Sequence, residues 1–194
     1  DLDHQSYLGD TLPLIAAEKA GIIKRGVPCV VGPQHDEALE VIEDRAARLG
    51  APLLAHGQHW HVSEERGRLI YQDERGLLDL PLPALPGPHQ IGNAGMAIAA
   101  LRHLSGEQDE AACEAAVTRV SWPARMQRLT SGTLVDLAAP AELWLDGGHN
   151  PAAGRMLAAT LAALPPKPTH LICGMLNTKD ITGYLTPLAE QAIT

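Results

Sequence analysis

The sequence predicts an α/β fold arranged as two domains. Three observations carry this expectation. Short apolar runs alternate with amphipathic helical patterns, as in chains that pack helices onto a sheet. Of the 194 residues, 45% are hydrophobic, enough for substantial cores. The stretch Ser121-Trp122-Pro123-Ala124 reads as a linker, and a new set of elements begins after it. The expected domains are therefore 1–123 and 124–194.

The elements follow in order. Residues 10–20 predict a helix, with Asp10 or Thr11 as cap and Gly21 as stop. Pro28 to Gly32 is a short buried strand. Asp36 to Leu49 is an amphipathic helix, with Leu39, Ile42, Ala46 and Leu49 on one face. Gly50-Ala51-Pro52 ends it, and Pro52 to Ala55 is the next strand. Alternating segments at His59–Ser63, Arg68–Gln72 and Leu77–Leu82 predict a β-meander. The four prolines of Pro81 to Pro88 make a rigid connector. Helices are expected at His89 to Leu104, with Ile91, Ala94, Ile98 and Leu101 on one face, and at Asp109 to Arg119. The second domain is expected as β-β-β-α-β-α. Its strands fall near Met126–Ser131, Thr133–Asp136, Leu143–Asp146 and His170–Gly174, with helices at Pro151–Leu164 and from Asp180.

Composition excludes several functions. Lys and Arg total 15 against 23 Asp and Glu, a net charge of −8. Such a chain is a poor non-specific binder of nucleic acid or of a membrane surface. No apolar run approaches the roughly 18 residues of a membrane span. Cys29, Cys113 and Cys173 are odd in number and far apart, so they read as reduced core residues. The chain starts at Asp1 without Met, and is expected to be a window of a longer protein.

The strongest candidate site is Leu143-Trp144-Leu145-Asp146-Gly147-Gly148-His149-Asn150-Pro151. An apolar strand delivers Asp146, two glycines let the backbone approach a ligand, and Asn150-Pro151 opens a helix. Ligands of open α/β sheets sit at this carboxyl edge against the helix N-terminus. Asp146 can accept from a ribose or meet a cation, and His149 can contact an anion or move a proton. Equally, Asp146 and Asn150 can simply cap the turn. His4, between Asp3 and Gln5, suits a hard metal or a general base, or is structural. Lys19 stands among apolar neighbours near a helix end. If buried it needs a partner or a lowered pKa, and a neutral lysine can be carbamylated; an ordinary surface lysine is the plainer alternative. Gln90 and Asn93 can read a nucleobase or cap a helix. Arg125 suits bidentate phosphate recognition or is solvated. His56, His59 and His61 fall in the meander and argue weakly for a metal.

In order and spacing these strings resemble the folylpolyglutamate synthase/dihydrofolate synthase family of the Mur-ligase superfamily. The resemblance rests on Leu2-Asp3-His4, Tyr7-Leu8-Gly9, Glu18-Lys19-Ala20-Gly21-Ile22-Ile23-Lys24, Gly26-Val27-Pro28 and Gly87-Pro88-His89-Gln90 with Asn93. It continues through Pro123, Arg125, Met126, Leu145-Asp146-Gly147, His149-Asn150-Pro151, Gly174-Met175-Leu176 and Lys179-Asp180. It implies the end of a P-loop ATPase domain followed by an incomplete Rossmann-like domain. It implies His4 as a magnesium ligand and Lys19 as the lysine carbamylated in support of the metal. Asn93 would contact adenine, Arg125 and Asp146 would reach ATP, and His149 would lie near phosphate and the incoming amine. The implied reaction joins L-glutamate to a folate or dihydropteroate carboxylate through an acyl phosphate, using ATP and Mg²⁺. Expected partners are these small molecules, without nucleic acid or membrane, for a monomer in the cytoplasm. The alternatives are another amino-acid ligase of the superfamily, acting on a peptidoglycan precursor, and a non-catalytic fragment. The Gly-rich phosphate loop expected upstream is absent from these residues. Two departures stand out: Ala124 replaces the glycine usual before the linker arginine, and Gly148 replaces a common alanine. Ala124 is expected to forbid a positive φ.

Overall fold

The computed structural model describes residues 11–105 and 110–192. It forms two compact units. The first comprises the described residues up to Leu82 together with Ile91–Thr118. The second comprises Pro83–Gln90 and the described residues from Arg119 on.

In the first unit α1 (Leu12–Lys19) starts at Thr11, with Pro13 pre-set for the first turn. The chain does not stop at Gly21. It tightens into a 3₁₀ turn, Ala20–Ile22, that buries Ala20. Strands β1 (Cys29–Val31) and β2 (Leu53–Ala55) pair in parallel, Cys29 opposite Leu53. The connection between them is α2 (Asp36–Leu49), as the apolar stripe requires. Gly50 ends it in the left-handed conformation, at φ 58°.

The meander is β3 (Trp60–Glu65), β4 (Arg68–Asp73) and β5 (Gly76–Pro81), all antiparallel. Arg66 and Gly67 both take positive φ, the two-residue turn that matches strand twist. One face buries Trp60, Leu69, Tyr71 and Leu80 against α3 (His89–Ser105) and α4 (Glu110–Arg119), which supply Ile98, Ala99, Cys113 and Val117. Gly95 permits this approach: a Cβ there would lie 2.7 Å from both Trp60 Cζ3 and Val62 Cγ1. The expected Leu101 is exposed, and Arg102 is buried instead. Arg102 Nε meets Asp73 Oδ2 at 3.1 Å, with about a tenth of each side chain exposed. Tyr71 donates to the same carboxylate oxygen at 3.1 Å. The arginine stem thus covers apolar surface while its charge is neutralised.

In the second unit β6 (Gln127–Leu129) and β7 (Leu143–Leu145) are antiparallel. Two expected strands are not strands. Thr133–Ala138 is a short helix, α5, launched from Gly132. Its β-branched Thr133 and Val135 suit a strand, but Val135 and Asp136 both donate back to the Gly132 carbonyl. Residues 170–174 carry no ladder, and an apolar run without a paired neighbour gains no strand hydrogen bonds. Cys173 within it is exposed, not core, whereas Cys113 is buried. The unit closes with α6 (Pro151–Ala163), α7 (Ile181–Leu185) and a 3₁₀ turn, Thr186–Leu188, around Met126, Leu157, Tyr184 and Leu188. Among the described residues no helix is long and apolar enough to cross a membrane.

Candidate functional site

The site grows from two loops of the second unit. Strand β7 ends at Leu145 and hands over Asp146, half-buried, to Gly147-Gly148-His149-Asn150. The other loop, Ala124-Arg125-Met126, leads into β6. Two hydrogen bonds tie them, and a third closes the Asp146 turn on itself. Met126 N–H donates to Asp146 Oδ2 at 2.9 Å, Gly148 N–H to Oδ1 at 2.7 Å, and Gly147 N–H to the Ala124 carbonyl at 2.9 Å. Asp146 is thus both a turn cap and a bridge.

Ala124 stands at φ 54° and Met126 at φ 44°. The expectation for Ala124 is overturned: alanine occupies the left-handed conformation rather than avoiding it. Each such residue costs about 1–2 kcal/mol. Hydrogen bonds to a carboxylate are worth about 1.5–3 kcal/mol, so the Asp146 contacts can offset the strain. Arg125 between them is exposed, and its Nη1 would lie 3.7 Å from a Cβ on Gly147. Gly148 is crowded: a Cβ would meet Asp146 Oδ1 at 2.9 Å and Ala153 Cβ at 3.0 Å.

Asn150 caps α6, its Oδ1 accepting from Ala153 N–H at 2.8 Å. The helix N-terminus thereby opens beside His149, a suitable place for an anion. His149 is exposed, and its Nδ1 lies 3.0 Å from the Gly147 carbonyl. A carbonyl only accepts, so Nδ1 carries the hydrogen and, in the neutral ring, Nε2 keeps a lone pair.

His89, which the sequence marks only as a helix start within Gly87-Pro88-His89-Gln90, belongs to this unit. Its Nδ1 is buried without a hydrogen-bond partner, while Nε2 lies 3.1 Å from Gln90 Nε2. Burial lowers its pKa, with Asp146 opposing and Arg125 reinforcing the shift. Tyr184 is buried in the core of this unit with Met126, Leu157 and Leu188, and burial raises its pKa, with Asp146 adding to it. The sequence signals His89 through the Gly87-Pro88-His89-Gln90 string and gives no signal for Tyr184.

The other expected residues lie elsewhere. Asn93 is exposed on α3, in the first unit. Lys19, the last residue of α1, is exposed rather than buried among apolar neighbours. His4 lies outside the described residues. Among the described residues no group of three His, Cys, Asp or Glu side chains is placed to hold a metal. The first unit also has a cleft of about 480 Å³, lined by His59, His61, Tyr71, Asp73, Arg102 and His103. It contains the Asp73–Arg102 pair and two of the weak metal candidates, His59 and His61, but none of Lys19, Asn93, Arg125, Asp146 and His149.

No protein-family model matches the chain. It is 35% identical over 186 residues to dihydrofolate synthase/folylpolyglutamate synthase of Escherichia coli, covering 95% of the chain and 41% of that protein. It is 31% identical over 203 residues to folylpolyglutamate synthase of Lacticaseibacillus casei, covering all of the chain and 45% of that protein. Among solved structures, E. coli FolC in complex with DHPP and ADP superposes with a TM-score of 0.82 at 34% identity, over 99% of this chain and 44% of that one. A folylpolyglutamate synthase–AMPPCP–folate complex gives 0.81 at 29% identity, over 100% and 48%. The chain spans less than half the length of each of these relatives.

Proposed function

We propose that this chain, a homologue of the dihydrofolate synthase/folylpolyglutamate synthases along nearly all its length, acts in an ATP-dependent ligase. The ligase joins L-glutamate to the carboxylate of a folate or dihydropteroate. The observation that carries the proposal is the TM-score of 0.82 to a relative bound to DHPP and ADP.

The reaction proceeds in two displacements. The folate carboxylate attacks the γ-phosphorus of ATP, giving an acyl phosphate and ADP. The neutral amine of glutamate then attacks the acyl carbon, and phosphate leaves as the amide forms and the amine sheds a proton. Neither step needs a covalent enzyme intermediate; both need charge neutralisation and positioning. In this reading Arg125 holds phosphate oxygens and Asn93 meets the adenine end. Asp146 belongs to the same nucleotide site. The N-terminus of α6 faces the phosphate, and Nε2 of His149 takes the amine's proton. Magnesium supplies further charge neutralisation when bound, with His4 and a carbamylated Lys19 as its expected supports. The active form is proposed as a cytoplasmic monomer.

The test is phosphate release by the full-length protein with ATP, Mg²⁺ and L-glutamate. Stimulation by dihydropteroate or a reduced folate is expected. Stimulation only by a UDP-muramoyl acceptor overturns the folate reading in favour of another ligase of the superfamily, and no ATP turnover with any acceptor favours a non-catalytic role.

A further inference from the structure

We infer that Asp146 is a positioning residue for Arg125: its carboxylate holds the strained loop that presents the guanidinium. The inference rests on the nucleotide reading of Arg125 and says how that residue is aimed. Both carboxylate oxygens are engaged, Oδ2 by Met126 N–H at 2.9 Å and Oδ1 by Gly148 N–H at 2.7 Å. The Met126 bond fixes the residue directly after Arg125. On the other side, the Ala124 carbonyl accepts from Gly147 N–H at 2.9 Å. Arg125 is therefore gripped at both neighbours from the one loop that follows β7. The neighbours are also the two residues that sit at positive φ, 54° and 44°. Alanine and methionine leave that conformation when released, because it crowds Cβ against the carbonyl. Without the grip the loop relaxes and the guanidinium swings away from its place beside Gly147.

Asparagine is the informative substitution. It keeps the size of Asp146 but has one acceptor oxygen and one NH₂. Whichever way the amide turns, one of the two N–H groups faces a donor. Asp146→Asn in the full-length protein is expected to raise the KM for ATP about ten- to a hundredfold, the worth of a charge-assisted hydrogen bond. Arg125→Ala is expected to do the same. If Asp146 acts through Arg125, the double variant is no worse than the poorer single variant. Ala124→Gly, which adopts a positive φ freely, then restores part of the ATP affinity of Asp146→Asn. Should Asp146→Asn fail to fold, Ala124→Val leaves the carboxylate intact and forces the loop out of its left-handed turn. It is expected to raise the ATP KM likewise, and an unchanged KM overturns the inference. Multiplying effects of Asp146→Asn and Arg125→Ala, with no rescue by glycine, mean that Asp146 meets the nucleotide independently, and overturn the clamp alone. An ATP KM untouched by Arg125→Ala overturns the nucleotide reading itself and takes the clamp with it.

Discussion

At the scale of single residues, the strain at Ala124 is the most measurable feature. Glycine at this position relieves a left-handed alanine but loosens the unfolded chain. The two effects oppose each other, leaving a net gain of about 1 kcal/mol for Ala124→Gly. A rise in the midpoint of thermal melting checks it; a fall means that the loop is not strained as the φ of 54° implies. Residue types with one local job were legible in the sequence. Asn150 before Pro151 announced a capped helix start, and its Oδ1 accepts from Ala153 N–H. Residues whose environment is set by distant chain were not. Ala124 is held at positive φ by loop 146–148, about twenty residues on. Lys19 sits among apolar letters yet faces solvent, because the turn of the helix sends Ile15, Ala16 and Ala20 inward and leaves Lys19 outside. Arg102 was invisible as a core residue because its partner, Asp73, comes from a different element.

At the scale of elements, glycines set how closely helices approach. Gly154 on α6 packs under α7, where a Cβ would lie 2.3 Å from the backbone carbonyl oxygen of Tyr184. A backbone atom cannot rotate aside, so Gly154→Ala must displace one helix. The expected loss is about 1–3 kcal/mol, read from urea unfolding. An unchanged midpoint would show that the two helices shift at no cost. Long periodic elements were legible: α2 spans the residues its apolar spacing predicts, and the three meander strands follow their alternation. Short ones were not. Six residues at Thr133–Ala138 fit either period, and the turn at Gly132 decides for the helix.

At the scale of the whole molecule, two half-buried imidazoles tie stability to pH. Burial lowers the pKa of His56 in the first unit, with His61 adding to it, and of His89 in the second. The unfolded chain therefore takes up protons first as the pH falls. Stability is complete above the unfolded value of about 6.5 and declines on acidification through it. Urea midpoints at pH 7.5 and 5.5 should differ, the lower pH giving the lower midpoint, and His89→Gln should shrink the difference. Equal midpoints contradict this. The buried Trp60 has one more consequence. It donates its indole N–H to the Leu54 carbonyl at 2.9 Å and stacks on Tyr71, whereas Trp122 and Trp144 lie in the second unit. With no phenylalanine and few aromatics in the chain, each unit carries its own tryptophan chromophores. A variant keeping Trp60 alone, and another keeping only the other two, let fluorescence follow each half of the molecule by its own light.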